Sequence, residues 1–268
     1  MGHPMKKRLI HTTDIMVSSL GLGTVKFGRN QQVKYPTPFE LPSDKEISSL
    51  LDLAQELGIN LLDTAPAYGI SEERLGRLLG SRRDQWVIMS KAGEEFRDGR
   101  SFFDFSPEGV VKSVERTLLR LKTDRVESLL LHSDGNDLQI LNESGAVEAL
   151  FALKDEGKIL STGISTKTVQ GGLRAIELGL DSVMVTYNPW HTEEESILEA
   201  AEESKTSVFV KKALGSGWFG KVSAEDPVET SFRFIFDQPA STSIITGTIN
   251  PRHLQDNVEA MARAESES

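Results

Sequence analysis

The chain has 268 residues, with 40 acidic against 30 basic side chains and no cysteine. That length can bury a full core without staples, and the absence of thiols excludes disulfides, thiolate metal sites and a cysteine nucleophile. A net charge of −10 leaves no basic excess to neutralise nucleic-acid phosphates, and no apolar run approaches the roughly 18 residues of a membrane-crossing helix. The first residues lack the apolar core of a secretion signal. A cytoplasmic protein is expected, with residues 1–5 and 264–268 as flexible ends.

In chain order, the apolar piece at 16–24 ends in glycines and predicts a small N-terminal β-hairpin, then a buried strand near 19–23. Residues 28–42 carry three prolines and few apolar side chains, which predicts a long loop. Ser43-Asp44-Lys45-Glu46 is a capping box, and Ile47, Leu50, Leu51, Ala54 and Leu57 follow at helical spacing up to Gly58. A strand over 59–62 comes next, then a loop over 63–68 and a helix over 71–79. The alternation then repeats. Strands are predicted at 86–90, 127–131, 159–164, 182–186, 207–211 and 242–246. Their helices open at Ser106-Pro107, span 142–156 and 168–178, open at a second capping box over 192–195 and at Asp226-Pro227, and run from Asn250-Pro251 to about Arg263. Counting the first strand, these are eight β/α units. Short alternation of this kind predicts a parallel sheet with helical crossovers. Eight units in one chain fit a single α/β domain over 1–268, a closed (β/α)8 TIM barrel, better than an open two-domain sheet.

Four ionisable side chains follow predicted strands: Asp63 and Tyr68 after the second, Lys91 after the third and His132 after the fourth. Barrel closure brings strand ends together at the C-terminal mouth, where sites of this fold are built. A free phenol titrates near about 10, too high for efficient proton transfer at neutral pH. A neighbouring ammonium lowers that value, a carboxylate holds the ammonium in place, and a histidine can orient a carbonyl oxygen. Each residue also has a plain structural reading: Asp63 as a loop cap, Tyr68 as a rim residue, Lys91 as a solvated strand end and His132 as a satisfied core histidine. Together, four such types at consecutive strand ends point to proton handling at an oxygen that becomes an alkoxide.

With these residues in view, the chain resembles the aldo-keto reductases. The resemblance is carried by Gly21-Leu22-Gly23-Thr24, Leu62-Asp63-Thr64-Ala65-Pro66-Ala67-Tyr68-Gly69, Ser90-Lys91, Leu130-Leu131-His132, Gly163-Ile164-Ser165 and the stretch 247–257. It implies a (β/α)8 barrel that reduces an aldehyde or ketone with NADP(H), NAD(H) being the alternative. Tyr68 would be the general acid, Lys91 and Asp63 its activators, and His132 the residue that orients the carbonyl. On the cofactor side, Ser165-Thr166 stands where relatives have Ser-Asn, Met184 where they have a glutamine, and Lys211 where an aromatic stacks on the nicotinamide. The backbone of Ala213, Leu214, Gly215, Ser216 and Gly217 would take the pyrophosphate. Gly247, Thr248, His253, Asp256 and Asn257 would hold the adenosine end, Arg252 or His253 replacing the cations that read a 2′-phosphate.

Rival motifs fail. The glycines at 21–28 do not match Gly-x-Gly-x-x-Gly or open a helix, and the P-loop-like run from Gly215 places Val222 where a Mg²⁺-binding hydroxyl is required. The scattered histidines predict no metal site. Phe27, Trp190, Trp218 and Phe219 are candidate mouth residues that suggest an apolar pocket. The partner expected is a small carbonyl compound, with neither nucleic acid nor membrane, and the protein a monomer or weak oligomer. Two other functions fit the residues less fully: a cofactor-binding redox-sensing module with negligible turnover, and a lyase using Lys91 as a Schiff base.

Overall fold

The computed structural model describes residues 5–33, 35, 37–215 and 226–266. Eight parallel strands close into a barrel in which chain neighbours are spatial neighbours. They are β3 (Leu20–Gly23), β4 (Leu61–Asp63), β5 (Val87–Ala92), β8 (Ser128–His132), β9 (Thr162–Ser165), β10 (Ser182–Thr186), β11 (Ser207–Lys211) and β12 (Ser241–Thr246). Pairing of β12 with β3 closes the ring. Two antiparallel hairpins stand outside it, β1 (Lys7–Leu9) with β2 (Met16–Ser18), and β6 (Glu94–Arg97) with β7 (Arg100–Phe103).

The barrel interior holds Leu61, Val87, Met89, Leu130, Met184 and Phe209, all buried. Ile10 and Val17 of the first hairpin join this cluster. Because they pack where strands begin, the hairpin stoppers the N-terminal end. Polar contacts fix it there: the His11 amide donates to Ser207 Oγ (2.8 Å) and the Ser18 amide to Asn60 Oδ1 (2.7 Å). The opposite end, where the strands finish, is left for a site.

A second apolar layer separates the strands from the helices. Helix α2 (Asp44–Glu56) begins with both bonds of its capping box and buries Ile47, Leu50, Leu51 and Ala54. Helix α4 (Pro107–Leu121) is capped by Ser106, with Pro107 in the first turn, and buries Val110, Val114 and Leu121. The predicted cap at Asp226 also forms, accepting from the amides of Val228 and Glu229, and opens helix α9 (Pro227–Phe236).

Four expectations need correction. The helix expected over 142–156 is two, α5 (Asp137–Glu143) and α6 (Ala146–Asp155). Ser144 ends the first by donating to the Ile140 carbonyl, and its hydroxyl accepts from the Ala146 amide that starts the second. The capping box at 192–195 does not form. Helix α8 spans Glu195–Ser204, and Glu194 instead accepts from the Thr186 amide (3.2 Å). The hairpin β6–β7 was not foreseen. Finally, residues 264–266 are no flexible tail: α10 runs Pro251–Ser266, and the buried Glu265 carboxylate accepts from Arg8 (2.8 Å) and Ser19 (2.5 Å). That carboxylate locks the last helix onto the stopper.

Candidate active site

Asp63, Tyr68, Lys91 and His132 meet at the C-terminal mouth, on the ends of β4, β5 and β8. Asp63 closes β4, and its carbonyl accepts from both the amide and the hydroxyl of Thr24 (2.9 Å each). The chain then turns through a single 3-10 turn, Pro66–Tyr68, with Pro66 at its start. Two glycines set the position of this turn. Gly69 has φ +62°, and a Cβ there would lie 2.2 Å from the Gly28 carbonyl; a Cβ on Gly28 would lie 2.3 Å from the Tyr68 carbonyl. Only a side-chain-free crossing lets the loop after β3 press the Tyr68 turn into the mouth. Arg29 braces it from outside by donating to the Ala67 carbonyl (3.0 Å).

Lys91 is 1% exposed. Its ammonium donates to Asp63 Oδ1 and to the Thr64 carbonyl (2.9 Å), and lies 4.8 Å from the centre of the Tyr68 ring. The Tyr68 hydroxyl donates to the other oxygen of Asp63 (3.3 Å). One carboxylate thus links ammonium and phenol. This arrangement differs from the one the sequence suggested, in which the ammonium lowers the phenol's titration. Burial and the Asp63 charge hold Tyr68 well above 10, so it stays protonated at neutral pH and keeps a proton to give.

His132 presents its ring edge-on to Tyr68, with centroids 6.3 Å apart. Its Nδ1 lies 2.9 Å from Glu94 Oε2. Burial pushes His132 below 6.5, against the upward pull of the Glu94 contact. Burial alone would raise Glu94, but the contact with His132, the Ser101 hydroxyl and the Arg29 charge outweigh it and take the carboxyl down to about 2. Sequence reasoning missed Glu94. Its hairpin had a readable signal, because Asp98-Gly99 joins the two strands with φ of 50° and 73°, the pair of positive angles a two-residue hairpin turn needs.

A cavity of about 670 Å³ opens beside the quartet, a volume in the range of ligand pockets. Asp63, Tyr68 and His132 line one side; Lys211, Ala213, Leu214, Gly247, Thr248, His253, Asp256 and Asn257 line the other. Lys26, Arg29 and Tyr35, none of them anticipated as site residues, complete the wall. Four basic side chains (Lys26, Arg29, Lys211 and Lys212) border this cavity in a chain of net charge −10. That local sign suits a ligand bearing phosphates.

The remaining cofactor assignments divide. Ser165 and Thr166 are buried away from the cavity, because the Lys211 ammonium stands in front of them and donates to Ser165 Oγ (2.9 Å) and the Thr166 carbonyl (2.6 Å). Burial lowers Lys211 to about 8, partly opposed by Glu194. Met184 packs in the barrel core, and Gly215 is off the cavity wall. Ser216, Gly217, Trp218 and Phe219 lie outside the described residues. Phe27 is 0% exposed, part of the core and not the mouth, and Trp190 does not border the cavity.

A dinucleotide fits what is left. Asn257 is 8% exposed and on the cavity wall, yet its amide makes no hydrogen bond among the described residues. The Thr246 hydroxyl, on the same wall, is buried without a partner among the described residues. Buried polar groups are seldom left unsatisfied, and an adenosine edge would supply the missing partners. The first turn of α10 reaches this wall through His253, while Asn250 caps it by accepting from the amides of Arg252 (2.9 Å) and His253 (3.5 Å).

Comparison with known proteins agrees. The model of the Aldo/keto reductase family matches residues 19–229. A solved aldo-keto reductase of Pseudomonas aeruginosa is 51% identical, with a TM-score of 0.87 over 97% of this chain and 96% of its own. An uncharacterized oxidoreductase of Bacillus subtilis, YqkF, is 27% identical over 96% of this chain and 91% of its length. A D-threo-aldose 1-dehydrogenase of a Pseudomonas species is 30% identical over 76% of this chain and 68% of its length. The chain belongs to the aldo-keto reductase family of nicotinamide-dependent oxidoreductases, which act on small carbonyl compounds.

Proposed function

We propose that this enzyme interconverts an aldehyde or ketone and its alcohol, with Tyr68 as the general acid of the reducing direction. The observation that carries this reading is the Asp63 carboxylate shared between the Lys91 ammonium and the Tyr68 hydroxyl, at the mouth of a cavity that His132 also borders. A nicotinamide held in that cavity would supply or accept the hydride. The protein's work is then confined to a proton and an oxygen.

As the carbonyl oxygen gains negative charge, Tyr68 gives it a proton. The phenolate left behind would be repelled by Asp63 alone. Lys91 balances that charge from the far side of the carboxylate, so the three groups together pass from neutral to a single negative charge and no further. His132 faces the same oxygen and helps to fix its position. In the opposite direction the phenolate takes the alcohol proton, which favours high pH because Tyr68 is held above 10. The aldose dehydrogenase among the relatives supports a site that runs both ways.

Arg252 and His253 on the first turn of α10 would read a 2′-phosphate, which favours NADPH over NADH. We read the whole chain as one catalytic unit, a monomer or weak oligomer. Fluorescence titration with NADPH and NADH separately, followed by a panel of aldehydes and ketones, tests the reading. Tyr68→Phe is expected to lose at least about a thousandfold in kcat, the scale of a missing proton donor, with cofactor affinity unchanged. Normal turnover in that variant, or tight cofactor binding with no turnover across the panel, rejects it.

A further inference from the structure

We propose that Glu94 is a positioning residue that fixes the tautomer of His132, so that neutral His132 turns a bare Nε2 to the cavity and only its imidazolium turns a donor there. The inference rests on the reading of His132 as a group that faces the reacting oxygen. Glu94 is the first residue of the hairpin β6–β7, immediately after Gly93. Gly93 has φ +99°, and a Cβ there would lie 2.2 Å from the Phe105 ring, so the chain is steered into the mouth at this point. The second carboxylate oxygen of Glu94 accepts from Ser101 Oγ across the hairpin (2.6 Å), and Arg29 stacks on Phe96 of the same strand, 3.6 Å from the ring centre. Glu94 is therefore held on its far side.

The chemistry follows from donor inventory. An ionised carboxylate offers only acceptors, and a bare imidazole nitrogen is an acceptor too. At 2.9 Å two acceptors repel, so Nδ1 carries hydrogen. The contact is bent, and that buried nitrogen has no better-aligned partner among the described residues. Glu94 stays ionised over any working pH because its contacts take it to about 2. The groups that face His132 are Glu94, which favours the imidazolium, and Lys91 and Lys211, which disfavour it, while burial pushes the same way as the lysines. The phenol of Tyr68 stands at the ring edge. His132 is thus neutral over the upper part of the physiological range.

A neutral imidazole with hydrogen on Nδ1 can accept from an alcohol O–H but has nothing to donate to a carbonyl oxygen. The imidazolium donates to the carbonyl. Proton balance is unaffected: the carbonyl carbon gains a hydride, the oxygen gains the Tyr68 proton, and His132 keeps its own. What changes is which partner the site grips. Carbonyl KM should rise about tenfold as pH passes upward through the His132 titration, with kcat moving less, the size of one lost hydrogen bond. Alcohol KM should fall over the same interval.

The test is a long-range ¹H–¹⁵N correlation spectrum of the full chain carrying ¹⁵N-labelled histidine, with His132 identified by its disappearance in His132→Asn. Above the titration the wild type is expected to show hydrogen on Nδ1 and a bare Nε2. In Glu94→Gln, whose amide can either accept from Nδ1 or donate to it, both tautomers should appear. The His132 titration should move to lower pH, and the rise in carbonyl KM should flatten. Hydrogen on Nε2 in the neutral wild type overturns the proposal, and needs no variant to fold. An unchanged tautomer and KM profile in Glu94→Gln overturns it as well. A protein that reduces no carbonyl while its spectrum shows the Nδ1 tautomer would refute the reductase reading and leave the role of Glu94 standing.

Discussion

The two walls of the mouth solve opposite problems. On the wall formed by β4, β5 and β8, ionisable groups are matched to one another: Lys91 with Asp63 and Asp63 with Tyr68, with Glu94 set 2.9 Å from His132 Nδ1 in a bent contact. On the wall formed by β12 and α10, the Thr246 hydroxyl is buried with no partner among the described residues, and the Asn257 amide lies on the cavity with no hydrogen bond among them. Internal pairing holds reacting groups in place before any ligand arrives, which is what a proton-transfer step requires. Unpaired groups do the reverse, storing unmet hydrogen bonds that a ligand can complete. The contrast shows where chemistry and where binding reside in this mouth.

The largest expected effect breaks the paired wall. Lys91→Met leaves Asp63 buried with only the phenol to face, so the charge that forms on Tyr68 has no counterion. A loss of about a thousandfold in kcat/KM is expected, in the range of a removed electrostatic stabiliser. Fluorescence titration should show cofactor affinity within about threefold of wild type, since among the described residues the Lys91 ammonium bonds to Asp63 and Thr64 and lies over the Tyr68 ring. A comparable loss of cofactor binding would mean that the two walls are not separable.

The paired wall was largely legible in the sequence, and physics explains why. Asp63 and His132 directly end apolar runs and Lys91 follows one after a single serine, and an apolar run that leads into an ionisable residue is readable without knowing what it packs against. Strand periodicity likewise exposed all eight barrel members. Glu94 was hidden because Glu94-Glu95-Phe96-Arg97 and Arg100-Ser101-Phe102-Phe103 show no clean alternation of apolar and polar residues, which leaves only the Asp98-Gly99 turn to announce a hairpin. The unpaired wall was harder still. That Ser165 and Thr166 lie behind a lysine depends on where a side chain from β11 reaches, a tertiary fact with no local signature. The break at Ser144 was missed for a related reason: α5 and α6 both bury apolar side chains, so the apolar pattern continues through a chain that does not.

A smaller effect probes the unpaired wall. Asn257→Ala removes an amide with no hydrogen bond among the described residues, so folding stability should change little. Affinity for NADPH and NADH should fall together by about tenfold, the value of one to two hydrogen bonds to the adenosine end they share. Titration by fluorescence measures both. An unchanged affinity would place the adenosine elsewhere on the wall.

The smallest effect concerns Lys211, which belongs to neither pattern: it is half-buried and hydrogen-bonded but lacks a counterion within ion-pair distance among the described residues. Burial lowers it from 10.5 to about 8. A group whose folded value lies below its unfolded one destabilises the fold while it is charged in both states. Below pH 8 that cost is complete, about 3 kcal/mol for a difference of this size. From about 8 to 10.5 the unfolded chain binds the extra proton, so stability rises with pH. Lys211→Met removes the cost but leaves Ser165 Oγ and the Thr166 carbonyl without their donor, at about 1 kcal/mol each. The net expectation is a variant about 1 kcal/mol more stable at pH 7, no more stable than wild type at pH 10.5, and without the rise that Lys211 contributes in between. Urea unfolding at several pH values reads all three. A variant less stable at pH 7 would show that the ammonium's two hydrogen bonds outweigh its burial, which would make Lys211 a strut of the mouth and align it with the paired wall.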